Sequence, residues 1–310
     1  MISISIVVCG DDWVNRNTVI EQLQTINLHD PVVLDLHAEG PSLHALGIVD
    51  TLQRYVNADR VYVENWSNNV EAVPFRRLNY YQLSHFFWMS NRYQHAVPVK
   101  RDAKHLFGYF VGRRTVPRCV MLKDVHEKYQ DYFLLSLMNT VAGFKHSEHD
   151  PLEAWCDSCN FYNWFNNQTI GSLDNHVVRD QYQGDHNTNA SLLRWYHQFD
   201  IELVAETYCH GDAFFVTEKT VRPIVAGKSM LVYGPKNYLA RLRDLGFQTW
   251  HTVWSESYDR LTGPERWRAI ELVINDLISR DQEQLYQQCQ PIIEYNQQHA
   301  QTLINRHRPE

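Results

Sequence analysis

Ile2, Ile4 and Ile6 alternate with Ser3 and Ser5, and Val7 and Val8 follow. This period of two predicts a β-strand running into a core, ended by Gly10-Asp-Asp-Trp13. Val19, Ile20, Leu23 and Ile26 then recur at helical spacing within residues 15–26. Pro31–Leu36 reads as a second strand and His37–Ser42 as a turn. Ser42 stands where it can cap a helix through Leu43, Leu46, Val49 and Leu52, and Arg60–Glu64 reads as a third strand. Strand–helix–strand–helix–strand over the first 66 residues predicts a parallel α/β domain. Ligands of such sheets sit beyond the C-terminal ends of the strands, and Asp11, Asp12, His37 and Glu39 fall there.

Residues 75–97 read as an aromatic helix carrying Tyr80, Tyr81, Phe86, Phe87 and Trp88. The short polar stretch Pro98–Lys104 marks a domain boundary. A second α/β pattern starts after it, with a strand at His105–Val111, a basic turn at Gly112–Arg118 and a helix through Val120, Met121, Val125 and Tyr129. Tyr132–Met138 is a further apolar run. Residues 145–190 are polar, rich in Asn, Asp and His, and show few clear elements; a stretch that long is either functional or harbours structure the pattern hides. Its Trp155, Tyr162 and Trp164 can stack a sugar or a base, or simply lie on the surface. Then come a strand at Phe199–Ala205, a helix from Thr217 to Ala226, a strand at Ser229–Tyr233 and a helix from Tyr238 to Leu245. An extended piece from Phe247 to Val253, an amphipathic helix from Pro264 to Ile278 and a polar helix over 281–305 complete the pattern.

The 310 residues suffice for two domains of roughly 150 each. With 44% hydrophobic and 21% charged residues, the chain can bury a sizeable core and is not a disordered one. A net charge of -7 argues against a protein built to coat nucleic acid. That average hides a basic middle: nine Lys or Arg and a single acid, Asp102, lie between Arg76 and Arg118, which suits either a solvated surface or a phosphate partner. No run approaches the roughly 20 apolar residues of a membrane span. Met1–Gly10 has no basic region ahead of its apolar residues and reads as a strand rather than a signal peptide. Six cysteines in a chain of this length do not make a disulfide framework. Cys156-Asp-Ser-Cys159 has neither a second CxxC nor a finger-spaced His pair, so no metal or other bound cofactor is expected. These features describe a reduced, cytoplasmic protein, in the host cytoplasm if its source is viral.

The chemistry concentrates between Glu206 and Ile224. A strand ends before Glu206, a loop follows, and Thr217 stands as N-cap of a helix with Glu218 and Lys219 in its first turn. The free N–H groups and positive end of such a helix suit a diphosphate. Lys219 adds a mobile cation, and Arg222 lies one turn along the same face. Glu206 and Glu218 can accept hydrogen bonds from ribose hydroxyls. The same residues also fit a capped helix with a surface Glu–Lys pair.

Residues 202–250 resemble the donor-binding half of the fucosyltransferase-like glycosyltransferases. The resemblance rests on Phe215-Val-Thr-Glu-Lys219, Pro223-Ile-Val-Ala-Gly227, Leu231-Val-Tyr-Gly234 and Leu242-Arg-Asp-Leu-Gly-Phe-Gln-Thr-Trp250. Trp254-Ser-Glu-Ser-Tyr-Asp259 extends it toward glycosyltransferase-like proteins of viral and bacterial type. About a fifth of the chain is covered strongly. Where fucosyltransferases proper usually show Ser-Asn, this chain has Gly112-Arg-Arg.

The resemblance implies an α/β fold of the GT-B kind, two Rossmann-like domains facing a central cleft. Residues 1–98 form the acceptor-side domain, 99–280 the nucleotide-sugar-binding domain, and 281–310 a C-terminal helix that can pack across both. It implies transfer of a sugar from a nucleotide-diphosphate donor, a co-substrate rather than a cofactor, to a hydroxyl acceptor. That acceptor is a glycan or a hydroxymethylated base in phage DNA. It implies that Glu218 and Lys219 contact the donor's ribose and phosphate, with Arg113, Arg114 and Arg118 as candidates for the diphosphate arginine; the reading of the helix start adds Thr217, Glu206 and Arg222 as donor contacts. The sequence holds no Asp-x-Asp, so metal-independent transfer is expected, with these cations stabilising the leaving diphosphate. The base comes from the N-terminal domain, Glu39 first and Asp12 second. The alternative is a non-catalytic nucleotide- or nucleic-acid-binding protein on the same scaffold.

Overall fold

The computed structural model describes residues 2–9, 12–27, 29–36, 43–44, 46–64, 73–77, 101–138, 151–173, 190–206, 209 and 214–306. The chain forms two compact units, residues 1–85 with 210–216 and residues 86–209 with 217–310. The boundary expected at residue 98 lies outside the described residues. Both units are α/β and built on parallel sheets. Among the described residues no helix is long and apolar enough to cross a membrane.

In the first unit, β1 (Ile2–Ser5), the hairpin strands β2 (Val8–Cys9) and β3 (Asp12–Trp13), α1 (Arg16–Gln24), β4 (Val32–Asp35), α2 (Ile48–Gln53), β5 (Val61–Glu64) and β6 (Arg76–Arg77) follow in order. Strands β1, β4, β5 and β6 make a parallel sheet in that spatial order. The alternation that predicts β1 is real: Ile4 is buried between exposed Ser3 and Ser5. Its core side meets Val19 and Leu23 of α1, Leu34 of β4, Val63 of β5 and Leu52 of α2. The Asn15 side chain latches the hairpin to the strand end, donating to Ser5 O at 2.8 Å and accepting from Val7 N at 2.9 Å.

Two expectations fail in this unit. The helix through Leu43 to Leu52 begins only at Ile48, because Gly47 takes a left-handed φ of 66° that a helix cannot continue through. Arg76–Arg77 is not helical but pairs as a parallel strand with Tyr62–Val63, extending the sheet. The remainder of the expected 75–97 helix lies outside the described residues.

The second unit contains β7 (His105–Val111), α3 (Val116–Tyr129), β8 (Phe133–Leu137), α4 (Ser158–Asn167), β9 (Phe199–Ala205), α5 (Glu218–Ala226), β10 (Ser229–Tyr233), α6 (Tyr238–Asp244), α7 (Gly263–Ile278) and α8 (Gln282–Arg306). Its sheet runs β10-β9-β7-β8, all parallel. Every residue of β9 and of β10, the end strand of this order, is buried, as in a sheet covered on both faces. Gly108 of β7 sits under the Phe199 ring; a Cβ there would lie 2.9 Å from three ring carbons. Trp267 of α7 donates to Asp124 of α3 at 2.7 Å, and Gln297 of α8 donates to Val225 O of α5 at 3.1 Å. The C-terminal helix therefore packs on α5, inside its own unit.

Here too the structure corrects the pattern. Within the apparently irregular 145–190 stretch, α4 is a regular helix capped by Asp157, which accepts from Asn160 N at 2.9 Å. Phe161 is its one fully buried residue, packing on Val116, Cys119 and Val120 of α3. The expected extended piece at 247–253 closes into turns, with Val253 N and Trp254 N both bonded to Trp250 O. The indoles of Trp250 and Trp254 stack at 5.8 Å as a result. Of the CxxC pair, Cys159 is exposed, and the half-buried Cys156 thiol is pushed up by burial, which makes it a poor thiolate.

Candidate functional site

Strand order fixes where a ligand can enter. From β7 the chain passes through α3 to β8 on one side of β7, and the next strand, β9, pairs with the other side. The β7–β9 seam is thus a topological switch point, where the loops leave in opposite directions and open a crevice at the C-terminal strand ends. The described strands of the first unit follow one another in chain order and have no such point. Two places border the crevice: Gly112–Thr115, leading into α3, and Glu206 at the end of β9 with Thr217 at the start of α5. Each ends at a helix N-terminus, whose positive end favours an anion.

The α5 end is built on Glu206. Its carboxylate is buried at 1% exposure. It accepts from the Thr217 hydroxyl at 2.5 Å, Thr217 N at 3.3 Å, the Thr220 hydroxyl at 2.5 Å and the Tyr238 hydroxyl at 2.9 Å. Burial pushes the Tyr238 phenol well above its usual range, so it stays a donor. With its proton given to Glu206, Thr217 Oγ1 accepts from Lys219 N at 3.2 Å, the expected N-cap bond. Glu218 and Lys219 follow on the rim, their side chains partly exposed and joined at 2.5 Å. Burial alone would raise the Glu218 carboxyl; the Lys219 charge and bond, its own backbone N–H at the helix start and Arg222 outweigh that and hold it at about 2.

On the other border, Arg113 is exposed and Arg114 half-buried. Arg114 donates to Met138 O at 3.1 Å and lies over the Phe165 ring at 5.6 Å. Its buried Nε has no hydrogen-bond partner among the described residues, and its contacts with Met138 and Phe165 lie on the β8 side of β7.

Three expected donor contacts turn inward instead. Arg118, 4% exposed, donates to Ala205 O at 3.0 Å and Glu206 O at 2.8 Å, tying α3 under the end of β9. Arg222, 2% exposed, pairs with Glu202 of β9 and the Tyr196 hydroxyl inside the core. Its place on the buried face of α5 sets its side chain into the core. Glu206 itself is committed to α5 and α6. Its role as a ribose acceptor is replaced by that of a foundation, and Thr220 and Tyr238, its other partners, were not anticipated. Glu39 lies outside the described residues, and of Asp12 only the backbone is described, paired with Cys9 in the β2–β3 hairpin.

Compared with protein-family models, curated proteins and solved structures, the chain matches none of them.

Proposed function

We propose that this protein is a nucleotide-sugar-dependent glycosyltransferase, its two units corresponding to the Rossmann-like halves of a GT-B enzyme. The observation that carries this reading is the topological switch point between β7 and β9 in the second unit. It is bordered by two helix N-termini and by Arg113, Arg114 and Lys219. A diphosphate would meet the positive ends of two helices and these cations there, and Glu218, held ionised, is the acceptor for a ribose hydroxyl.

In the proposed step, a carboxylate of the first unit, Glu39 or failing that Asp12, takes the proton of the acceptor hydroxyl. The resulting oxygen forms a bond to the anomeric carbon. The bond from that carbon to the diphosphate oxygen breaks, and its electron pair leaves on the nucleotide diphosphate. Lys219 with Arg113 or Arg114 stabilises that charge. A glycan hydroxyl or a hydroxymethylated base in DNA would serve as acceptor. The basic sequence from Arg76 to Arg118 favours the DNA version, although Arg118 itself is spent internally.

The test is a thermal-shift screen against UDP-, GDP-, CMP- and ADP-linked sugars, followed by assay of donor consumption with acceptor. A donor at 100 times its Kd stabilises by about 2.7 kcal/mol. A stabilising donor that is consumed supports the enzyme. A stabilising nucleotide that is never consumed favours the non-catalytic binding protein, and a panel with no stabilising member removes the nucleotide reading.

A further inference from the structure

The second unit carries another concavity, well away from the crevice. Along the line where α4 packs on α3, a groove of about 540 Å³ opens to solvent, within the size range of small-ligand sites. Its α3 wall is formed by Lys123, His126 and Glu127. These lie seven to eleven residues past Val116, which places them roughly 10–17 Å down the helix from its crevice end.

The α4 wall is an amide ladder. Asn160, Asn163 and Asn167 recur at spacings of three and four and share one helix face. Asn167 donates through Nδ2 to Asn163 O at 2.7 Å and Asn163 Oδ1 at 3.1 Å. That leaves the Asn163 NH2, the Asn167 carbonyl and the whole Asn160 amide without a protein partner among the described residues. Between them Trp164 forms part of the lining, half-buried. Its ring is held by Phe161 and Phe165 at 6.3 and 6.4 Å and by an N–H directed at His126 Nδ1 at 3.4 Å.

The chemistry of this surface is neutral. Lys123 is bonded to Glu127 one turn on, so this lining carries one cation and one carboxylate and no net charge. An anion finds no excess of positive charge there. An apolar segment would strand the amides in a desolvated contact. A primary amide offers a donor and an acceptor side by side, the complement of two adjacent hydroxyl groups. An indole held in a fixed plane supplies the apolar surface that the C–H face of a sugar ring needs. We propose that the α3–α4 groove is a binding site for a neutral oligosaccharide, separate from the switch-point crevice. Binding here requires no transfer activity and stands whether or not the glycosyltransferase reading does.

The experiment is titration calorimetry, with saturation-transfer NMR, of the full chain against maltohexaose, cellohexaose, chitohexaose and mannohexaose at millimolar concentration. Adenosine and a sulfated heparin hexasaccharide serve as comparators. At least one neutral sugar is expected to bind with an affinity indifferent to salt. The surface double variant Asn163→Ala, Asn167→Ala, checked for an unchanged Tm, is expected to weaken it by about tenfold or more. Trp164→Phe is expected to weaken it less, and Lys219→Ala to leave it unchanged. Failure of every neutral sugar to bind overturns the proposal. So does binding that the double variant leaves intact, binding that Lys219→Ala abolishes, or a preference for adenosine or the sulfated sugar.

Discussion

The Thr217 hydroxyl lies 2.5 Å from the carboxylate of Glu206, eleven residues earlier in the chain. Through that contact the end of β9 holds the start of α5, and the N-cap bond to Lys219 N depends on it. Replacing Glu206 with Ala removes the shared acceptor of the Thr217, Thr220 and Tyr238 hydroxyls, while Thr220 and Tyr238 keep the 2.9 Å bond between them. At about 1–3 kcal/mol for each of two groups left unsatisfied, a loss of about 2–6 kcal/mol is expected. Urea unfolding of Glu206→Ala against Thr217→Ala measures it. The single Thr deletion should cost about 1–2 kcal/mol, the range of a lost cap. Equal losses in the two variants would show that the other hydroxyls contribute nothing.

Arg222 and Glu202 present a different case, because both are ionisable and both are buried. Removing one partner leaves the other charge uncompensated, so Arg222→Met and Glu202→Leu are each expected to destabilise by about 3–5 kcal/mol. The double variant should regain most of that loss, since two apolar groups can fill the same space. Additive losses in chemical unfolding would contradict the pairing. None of the three variants should alter nucleotide affinity once folded, because this pair faces the core.

Lys228 makes stability depend on alkaline pH. Burial lowers its ammonium from 10.5 to about 8, against the opposing pull of Asp200, while it donates to Phe199 O at 2.6 Å. Between about 8 and 10.5 the unfolded chain then binds the proton that the folded chain has lost, so this group's contribution makes stability rise with pH across that window. A shift of that size corresponds to an upper limit of about 3 kcal/mol. Lys228→Met should be more stable than the parent near neutral pH, and the gap should close as the pH approaches 10. A gap constant from pH 7 to pH 10 would show that the lysine does not titrate there.

Lys219 and Glu39 bear on the chemistry. Lys219→Ala should fold normally, since its side chain sits on the rim, and should lose turnover by about 100- to 1,000-fold, the effect of removing one donor to developing charge. Glu39→Gln should abolish turnover while donor affinity persists. Full transfer by either variant, measured as sugar moved to acceptor, would remove that residue from the mechanism.

Strong periodicity made much of the second unit legible. The apolar runs of β7, β9 and β10 and the amphipathic face of α7 are each long enough to outweigh local preference, and Thr217 ahead of Glu218 announces its own cap. Weak signals misled. The α4 segment is built from Ser, Cys and Asn, poor helix formers, and is helical because Phe161 and Phe165 pack on α3. Gly47 shortens α2 through one dihedral angle that residue spacing does not encode. At the site, the cap and the basic turn could be read, but the fates of Arg118 and Arg222 could not. Arg118 meets carbonyls up to 88 positions away and Arg222 a carboxylate 20 away, and both pairings exist only once the sheet is assembled. A buried and an exposed arginine look alike in a sequence.

The division of labour at the crevice bears on how the protein can change. One border, Gly112–Thr115, has its exposed arginine and, among the described residues, no carboxylate foundation; the other rests on Glu206, whose partners reach into α5 and α6. Randomising residues 112–115 while leaving 206, 217, 220 and 238 untouched would therefore sample new ligand preferences at little risk to folding. A library built the other way round would return mostly aggregated chains.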